Sequence, residues 1–337
     1  MVGDSADLRK ISGSLQRLVE KHFGASCLVK NLKRPPMLGG ANETFIFDIE
    51  QRSKSQRLVL RRQTYFENNS PFLAMDYQYN ILEKVFRNKV ATPEPLFELE
   101  STDRLGKGFV MRFVEGETIP RKILANESLN VARRKLTEQC GKTLAQIHRL
   151  SAEEFDFLED SADSKDALQA QIDRYEKYGG RQPALELAIR WLQKNRREYP
   201  VKRLLHGDFR LGNIVVGHDG FKYLLDWDCC HLGDPMEELA WLCLKSWRFG
   251  KVEKKVGGFG DREILYRSYL DNGGYEISHE RIRWWKIFGY LRWAVLNMMQ
   301  IHGHMNSSRK SLPFAICGRN ICLIEYDLLM ALKGEKF

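Results

Sequence analysis

The amino-acid sequence predicts an α+β protein of two lobes, a small N-terminal lobe built on an antiparallel sheet and a larger, mainly helical C-terminal lobe. Three observations predict it. Short runs rich in β-branched and aromatic residues, separated by polar turns, recur between residues 28 and 114. After Glu115-Gly116 the texture changes to long stretches with apolar residues at helical spacing. The length of 337 residues, 43% of them hydrophobic, suits about two domains at roughly 150 residues each and excludes disordered and collagen-like chains.

In chain order, the strand-like runs are 27–29, 44–49 and 57–61, the last following a polar turn at 51–55. Residues 76–87 carry Tyr79, Ile81, Leu82, Val85 and Phe86 at helical spacing, and Thr92-Pro93-Glu94-Pro95 stops that helix. A strand pair follows at 96–99 and 108–114. Long helical patterns then occupy 130–150, 165–178 and 184–197. The expected organisation is an N-terminal lobe over 1–115 and a C-terminal lobe over 116–337.

The chain carries 53 basic and 44 acidic residues, a net charge of +9 that suits nucleic acid, an anionic surface or a small anionic ligand. The N-terminal residues lack the basic-then-apolar pattern of a secretory signal, and charges interrupt each apolar run well short of roughly 18 residues. A cytoplasmic location without a membrane partner is expected. The seven cysteines are odd in number, scattered and contain no C-x-x-C pair, which indicates neither a disulfide framework nor a zinc site. Cys229-Cys230-His231 reads as packing, since three consecutive side chains do not converge on one tetrahedral ion without further partners.

Residues 204–241, LLHGDFRLGNIVVGHDGFKYLLDWDCCHLGDPMEELAW, carry the chemistry. Residues 214–216 and 221–225 are β-like, and Asp219-Gly220 between them signals a two-residue hairpin turn. Counting outward from that turn pairs His218 with Phe221, Val216 with Tyr223 and Asn213 with Asp226, the last two about 5 Å apart across the strands. Asp208 lies on the loop entering the same strand end. One amide oxygen and two carboxylates there would suit a phosphate-bound Mg²⁺, which takes hard oxygens and few protein ligands. The bland alternative is a hairpin capped by Asn and Asp. Against it, His206-x-Asp208-x-x-x-x-Asn213, a hairpin and then Asp226 match in type and spacing the catalytic and metal loops of protein kinases.

On these residues the chain resembles the aminoglycoside phosphotransferase family, kinase-like small-molecule phosphotransferases that include choline kinases. HGDFRLGN at 206–213 and LLDWDCCHLGDPMEELAWL at 224–242 carry the resemblance. It is strongest to the subgroup that includes the kinase-like domains of some acyl-CoA dehydrogenases. The resemblance implies a protein-kinase-like fold, with catalytic and metal loops within 204–228 and acceptor-binding helices within 261–337. It implies Asp208 as the catalytic base or orienter of an acceptor hydroxyl, and Asn213 and Asp226 as ligands of Mg²⁺. His206 would support the loop, and Gly207 would serve a tight turn. Arg210 would face phosphate or pair with a carboxylate, and Asp228 would support the metal ligand or be a surface carboxylate.

ATP is the implied cosubstrate. Gly39, Gly40, Asn42, Thr44 and Phe45 match the subgroup's Gly-x-x-Asn-x-Thr-aromatic loop, a place for backbone N–H groups to approach phosphate. Arg61 stands where a protein kinase has its phosphate-binding lysine. Alignment of the next helix puts Gln78 where its glutamate partner would be, with Asp76 or Glu83 as substitutes. Adenine would bond to backbone groups of Arg112 and Val114, with Met111 lining the pocket.

Asp234, Pro235 and Glu237 read as a capping box that starts a helix running through Trp247. That early helix start leaves no room for a long activation loop, and no A-P-E segment follows, which disfavours a protein kinase. In 261–337, eleven basic residues face eight acidic ones, a net of +3. A polycationic aminoglycoside would prefer a carboxylate-rich site, so the balance favours a neutral or anionic acceptor, a hydroxyacyl thioester by the subgroup resemblance. The competing readings are an aminoglycoside or other antibiotic kinase and a non-catalytic nucleotide-binding module. No nucleic-acid motif accompanies the +9 charge. Oligomeric state is not indicated.

Overall fold

The computed structural model describes residues 2–35, 42–51, 54–63, 70–196, 201–306 and 312–334. They group into two compact units, 1–115 and 116–337.

In the first unit the order is α1 (Val2–Phe23), β1 (Leu28–Lys33), β2 (Asn42–Gln51), β3 (Lys54–Gln63), α2 (Met75–Arg87), β4 (Pro95–Glu98) and β5 (Gly108–Arg112). The strands form one antiparallel sheet in the order β1-β2-β3-β5-β4. Alternation along β2 turns Phe45, Phe47 and Ile49 into one core with Leu58, Leu60 and Val110. Ile11, Leu15, Leu18 and Val19 of α1 close that core. Their spacing is helical, although the sequence reading assigned no element before residue 27. On the other face Thr44, Arg61 and Phe109 make a cross-strand row. The Tyr79 ring of α2 meets Phe109 at 5.8 Å, so α2 packs on the face that carries Arg61.

The second unit runs α3 (Pro120–Ala125), α4 (Asn130–His148), α5 (Ala162–Lys177), α6 (Pro183–Lys194), β6 (Arg203–Leu205), β7 (Ile214–Gly217), β8 (Gly220–Leu224), β9 (His231–Gly233), α7 (Met236–Leu242), α8 (Arg262–Asp271), α9 (His279–Asn306) and α10 (Leu312–Lys333). β6 pairs with β9, and β7 with β8, as two small antiparallel ribbons. Helix α7 is buried, and Leu204, Leu205, Phe209, Ile214, Leu239 and Leu242 are almost fully enclosed. That apolar bed fixes the loop 206–213. The helical pattern at 284–302 is a core helix, with Phe288, Leu291, Val295 and Met298 buried.

Two local expectations are corrected. Gly217 pairs with Gly220 and Val215 with Tyr223, with a bulge between, so the turn is His218-Asp219. Gln139 of α4 sets it, since its amide donates to the Asp219 carbonyl at 3.1 Å and accepts from the Phe221 N–H at 2.8 Å. A Cβ on Gly220 would lie 2.0 Å from that amide oxygen. Asn213 therefore stands opposite Leu225, whose N–H donates to its carbonyl at 2.7 Å, and not opposite Asp226. Helix α7 also ends at Leu242, because Leu244 is extended before a separate 3₁₀ turn, Lys245–Arg248. The Glu237 carboxylate accepts from Arg292 and faces His231, so no capping box forms. Asp234 still accepts from the Met236 N–H at 3.0 Å, and it binds Arg281 and Trp285 of α9.

Candidate active site

The loop between β6 and β7 is built on one buried imidazole. His206 is fully buried, and its Nδ1 accepts from the Asp208 N–H at 3.2 Å, which leaves the proton on Nε2 to donate to the Leu225 carbonyl at 2.9 Å. Burial holds its pKa below the ordinary histidine value, despite nearby carboxylates. One neutral ring thus ties the start of the loop to the residue before Asp226. Gly207 has φ +80°, and a Cβ there would lie 2.1 Å from the Cys229 carbonyl, so only glycine fits.

Glu238 of α7 suspends the same turn from below. Its carboxylate accepts the His206 N–H at 3.0 Å and the Gly207 N–H at 2.9 Å. His148 of α4 meets Glu238 at 3.0 Å through Nε2 and Tyr269 of α8 at 2.9 Å through Nδ1. Burial would raise the Glu238 pKa, but the bonds from His148 and the loop outweigh it and lower the value. A buried carboxylate satisfied by three donors is a rigid mount for a backbone turn.

Asp208 projects from that turn with its side chain 18% exposed. Its Oδ1 accepts from Arg210 Nε at 2.8 Å and Trp241 Nε1 at 3.1 Å, and its Oδ2 accepts from Asn213 Nδ2 at 2.8 Å. Asn213 Nδ2 also donates to the Asp208 carbonyl at 2.9 Å. Three of roughly four lone-pair positions on an ionised carboxylate are thus directed by the protein, and the remainder can take one hydroxyl proton. Arg210, left open in the sequence between phosphate and carboxylate, pairs with Asp208 and lies 4.7 Å over the Trp247 ring. Trp241, Trp247, Glu238 and His148 were not found by sequence reasoning. The carboxylate pair Glu237-Glu238 inside an apolar helix was the available signal.

Asp226 has φ 68° and ψ 65°, a left-handed conformation that costs a non-glycine residue about 1 kcal/mol or more. Asn213 gives its NH₂ to Asp208, so its amide oxygen is the atom it can offer a cation, and the Asp226 carboxylate, whose charge acts on His206 and Arg210, is a second hard oxygen near the loop. This hard-oxygen pair suits a cation that takes one or two protein ligands, as Mg²⁺ does. Asp228 is 5% exposed, which excludes the surface alternative. Cys229 and Cys230 are buried, and burial pushes both thiols well above their ordinary pKa. His231 faces Glu237 instead.

In the first unit, Gly39 and Gly40 lie outside the described residues. Asn42 is 6% exposed, and its Nδ2 has no hydrogen-bond partner among the described residues. Thr44 and Arg61 are cross-strand neighbours, as above. Gln78 is buried and donates to the Leu73 carbonyl at 2.7 Å, at the entry to α2. Met111 sits on β5 opposite Val59. The Arg112 N–H donates to the Glu94 carbonyl at 2.9 Å, so an adenine edge would use the Arg112 carbonyl and the backbone of Val114.

The model of the phosphotransferase enzyme family matches residues 35–271. Among curated proteins, human acyl-CoA dehydrogenase family member 11 is 26% identical over 242 residues, covering 68% of this chain and 30% of the human protein. Mouse acyl-CoA dehydrogenase family member 10 is 26% identical over 235 residues, 67% of this chain and 21% of the mouse protein. The chain thus spans less than a third of these relatives. Among solved structures, a candidate aminoglycoside phosphotransferase of Ralstonia eutropha superposes with a TM-score of 0.69 at 17% identity, covering 96% of this chain and 99% of that one. A spectinomycin phosphotransferase bound to ADP and spectinomycin gives 0.63 at 12%, with coverage of 95% and 98%. Plasmodium vivax ethanolamine kinase gives 0.62 at 14%, with 92% and 85%. Among the described residues no helix is long and apolar enough to cross a membrane.

Proposed function

The chain belongs to the phosphotransferase enzyme family and has a kinase-like fold, and from that premise we propose that it transfers the γ-phosphoryl group of Mg-ATP to a hydroxyl of a small neutral or anionic molecule. The observation that carries this reading is the Asp208 carboxylate, held by Arg210, Trp241 and Asn213 on a loop that Glu238 anchors.

In this reading Asp208 accepts the hydrogen bond of the acceptor hydroxyl, aligns its oxygen with the γ-phosphorus and takes its proton as the new P–O bond forms and the bond from that phosphorus to the bridging oxygen breaks, ADP leaving with the oxygen. Asn213 and Asp226 would hold Mg²⁺, whose chemistry when bound is to offset charge on the phosphate oxygens. Asn42, Thr44 and Arg61 would face the phosphates, together with Gly39 and Gly40. Nucleotide binding is supported by the ADP complex of the spectinomycin phosphotransferase. The reaction belongs in the cytoplasm, where seven unpaired cysteines, five of them buried, stay reduced.

For the acceptor, Asp208 is framed by tryptophans and an arginine. The acyl-CoA dehydrogenase relatives support a hydroxyacyl thioester. The test is a screen of hydroxylated acceptors for stimulated ADP formation from ATP and Mg²⁺. Stimulation by hydroxyacyl-coenzyme A thioesters above hydroxylated amines is expected. Stimulation by aminoglycosides alone would replace this acceptor class with an antibiotic.

A further inference from the structure

Two consecutive residues of α9, Arg292 and Trp293, touch the rings that serve the bonds of Asp208 Oδ1. Arg292 is 3% exposed, and its guanidinium lies 5.1 Å from the centroid of the Trp241 ring. Trp241 Nε1 donates to Asp208 Oδ1 at 3.1 Å. The Trp293 ring lies 4.7 Å from Trp247, the ring beneath the Arg210 guanidinium, and Arg210 Nε is the second donor to the same oxygen. Trp241 and Trp247 meet each other at 5.1 Å. Both donors to Oδ1 thus trace to one turn of α9.

Arg292 is held in turn by buried charge. Its Nη1 donates to Glu237 Oε1 at 3.0 Å, and Glu237 Oε2 meets His231 Nε2 at 3.2 Å. His231 Nδ1 meets the Cys229 carbonyl at 3.0 Å. Both ring nitrogens face acceptors, so this imidazole carries both protons. Burial would lower its pKa, but the Glu237 carboxylate outweighs burial and raises it. The Cys229 carbonyl is the atom that leaves no room for a Cβ on Gly207. Arg292 is therefore linked to the loop 206–213 by two routes, through the Trp241 ring to Asp208 and through Glu237 and His231 to the wall beside Gly207.

Stability alone does not explain this arginine. Its Nε is buried with no hydrogen-bond partner among the described residues, a cost that an apolar side chain of similar length would avoid. Its ion pair with Glu237 is weak evidence of stabilisation, since desolvation of two buried charges offsets their attraction. What an apolar side chain would not supply is a positive charge at the indole. Such a charge is attracted to the ring, restrains it and draws electron density from it, which strengthens the N–H as a donor.

We infer that Arg292 is a positioning residue, which fixes the Trp241 ring so that its N–H meets the Asp208 carboxylate. Its effect on turnover rests on the phosphotransferase reading, whereas the placement of Trp241 does not.

The test reads Trp241 directly. In the full chain carrying isotope-labelled tryptophan, the seven indole N–H signals are recorded by NMR without nucleotide, and Trp241→Phe identifies the Trp241 signal. In Arg292→Met the Trp241 N–H is expected to exchange with solvent deuterium about tenfold faster, while the signal of Trp191 on α6 keeps its native position. Arg292→Lys, which keeps a charge, is expected to restore most of the native rate. If Arg292→Met does not fold, Arg292→Met/Glu237→Gln, which removes both charges of the pair, is read in its place with the same expectation. With a productive acceptor, kcat is expected to fall about tenfold in the methionine variant with the ATP KM unchanged. A folded methionine variant with native Trp241 exchange overturns the inference, as does equal acceleration in Arg292→Lys. Failure of every acceptor to support turnover would contradict the phosphotransferase reading and leave the exchange result standing.

Discussion

Asp208 makes its bonds to Arg210, Trp241 and Asn213 before any substrate arrives, so its orientation is built into the fold. Each partner is a donor to a charged oxygen, an interaction of about 1.5–3 kcal/mol. Trp241→Phe keeps the ring and removes the N–H, and kcat is expected to fall about tenfold to a hundredfold with the nucleotide KM unchanged. Steady-state kinetics with ATP as the varied substrate checks this. An unchanged kcat would mean that Trp241 only packs. Gly207→Ala combines a left-handed backbone with a Cβ 2.1 Å from a carbonyl. A loss of about 3 kcal/mol or more is expected in urea unfolding. The glycine and the aspartate were legible in the sequence because their roles depend on local spacing. The tryptophan was not, because it reaches Asp208 from 33 positions away in the chain.

At the scale of elements, the loop 206–213 hangs between a ribbon and a helix. Tyr269, His148 and Glu238 join α8, α4 and α7 beneath it. Glu238→Ala leaves two loop N–H groups and a buried histidine without their acceptor, at an expected cost of about 3–5 kcal/mol. Two titrations act in the same direction. The folded Glu238 pKa lies below its ordinary 4.5, so its stabilisation is complete above that value and is lost as pH falls below it. The folded His206 pKa lies below 6.5, so the unfolded chain binds the extra proton and stability declines as pH falls through 6.5. Urea midpoints measured from pH 7 downward are expected to fall in both windows, and the Glu238→Ala series is expected to lose the lower one. Elements with strong periodicity, such as α2 and the 284–302 stretch, were readable from the sequence alone. The hairpin register and the end of α7 were not. Gln139 and the extended Leu244 decide them through tertiary contacts that outweigh the preference for Asp-Gly at a turn and for a continued helix.

At the scale of the molecule, some of the charge behind the net +9 is withdrawn from water, and Lys286 of α9 is a case. The Lys286 pKa is depressed from 10.5 to about 8 by burial and its cationic neighbours. A base with a depressed folded pKa destabilises most where it is charged in both states, and the penalty is relieved as pH rises from 8 toward 10.5. Lys286→Gln is therefore expected to raise the melting temperature at pH 7 and to flatten that alkaline rise. A lower melting temperature would show that Lys286 stabilises the fold. The two-lobed α+β class could be inferred from the change in texture after Glu115-Gly116, while the tertiary environment that lowers the Lys286 pKa has no signature in sequence spacing.

The claim on which the rest depends is that Asp208 directs an acceptor hydroxyl in phosphoryl transfer from Mg-ATP. The most direct measurement is the rate of phosphorylated product formation, by mass spectrometry, for the native chain and Asp208→Ala with a productive acceptor, alongside calorimetric ATP affinity. Product formation is expected to fall by about a thousandfold in the variant, with ATP affinity retained. Turnover at the native rate in Asp208→Ala would contradict the assignment.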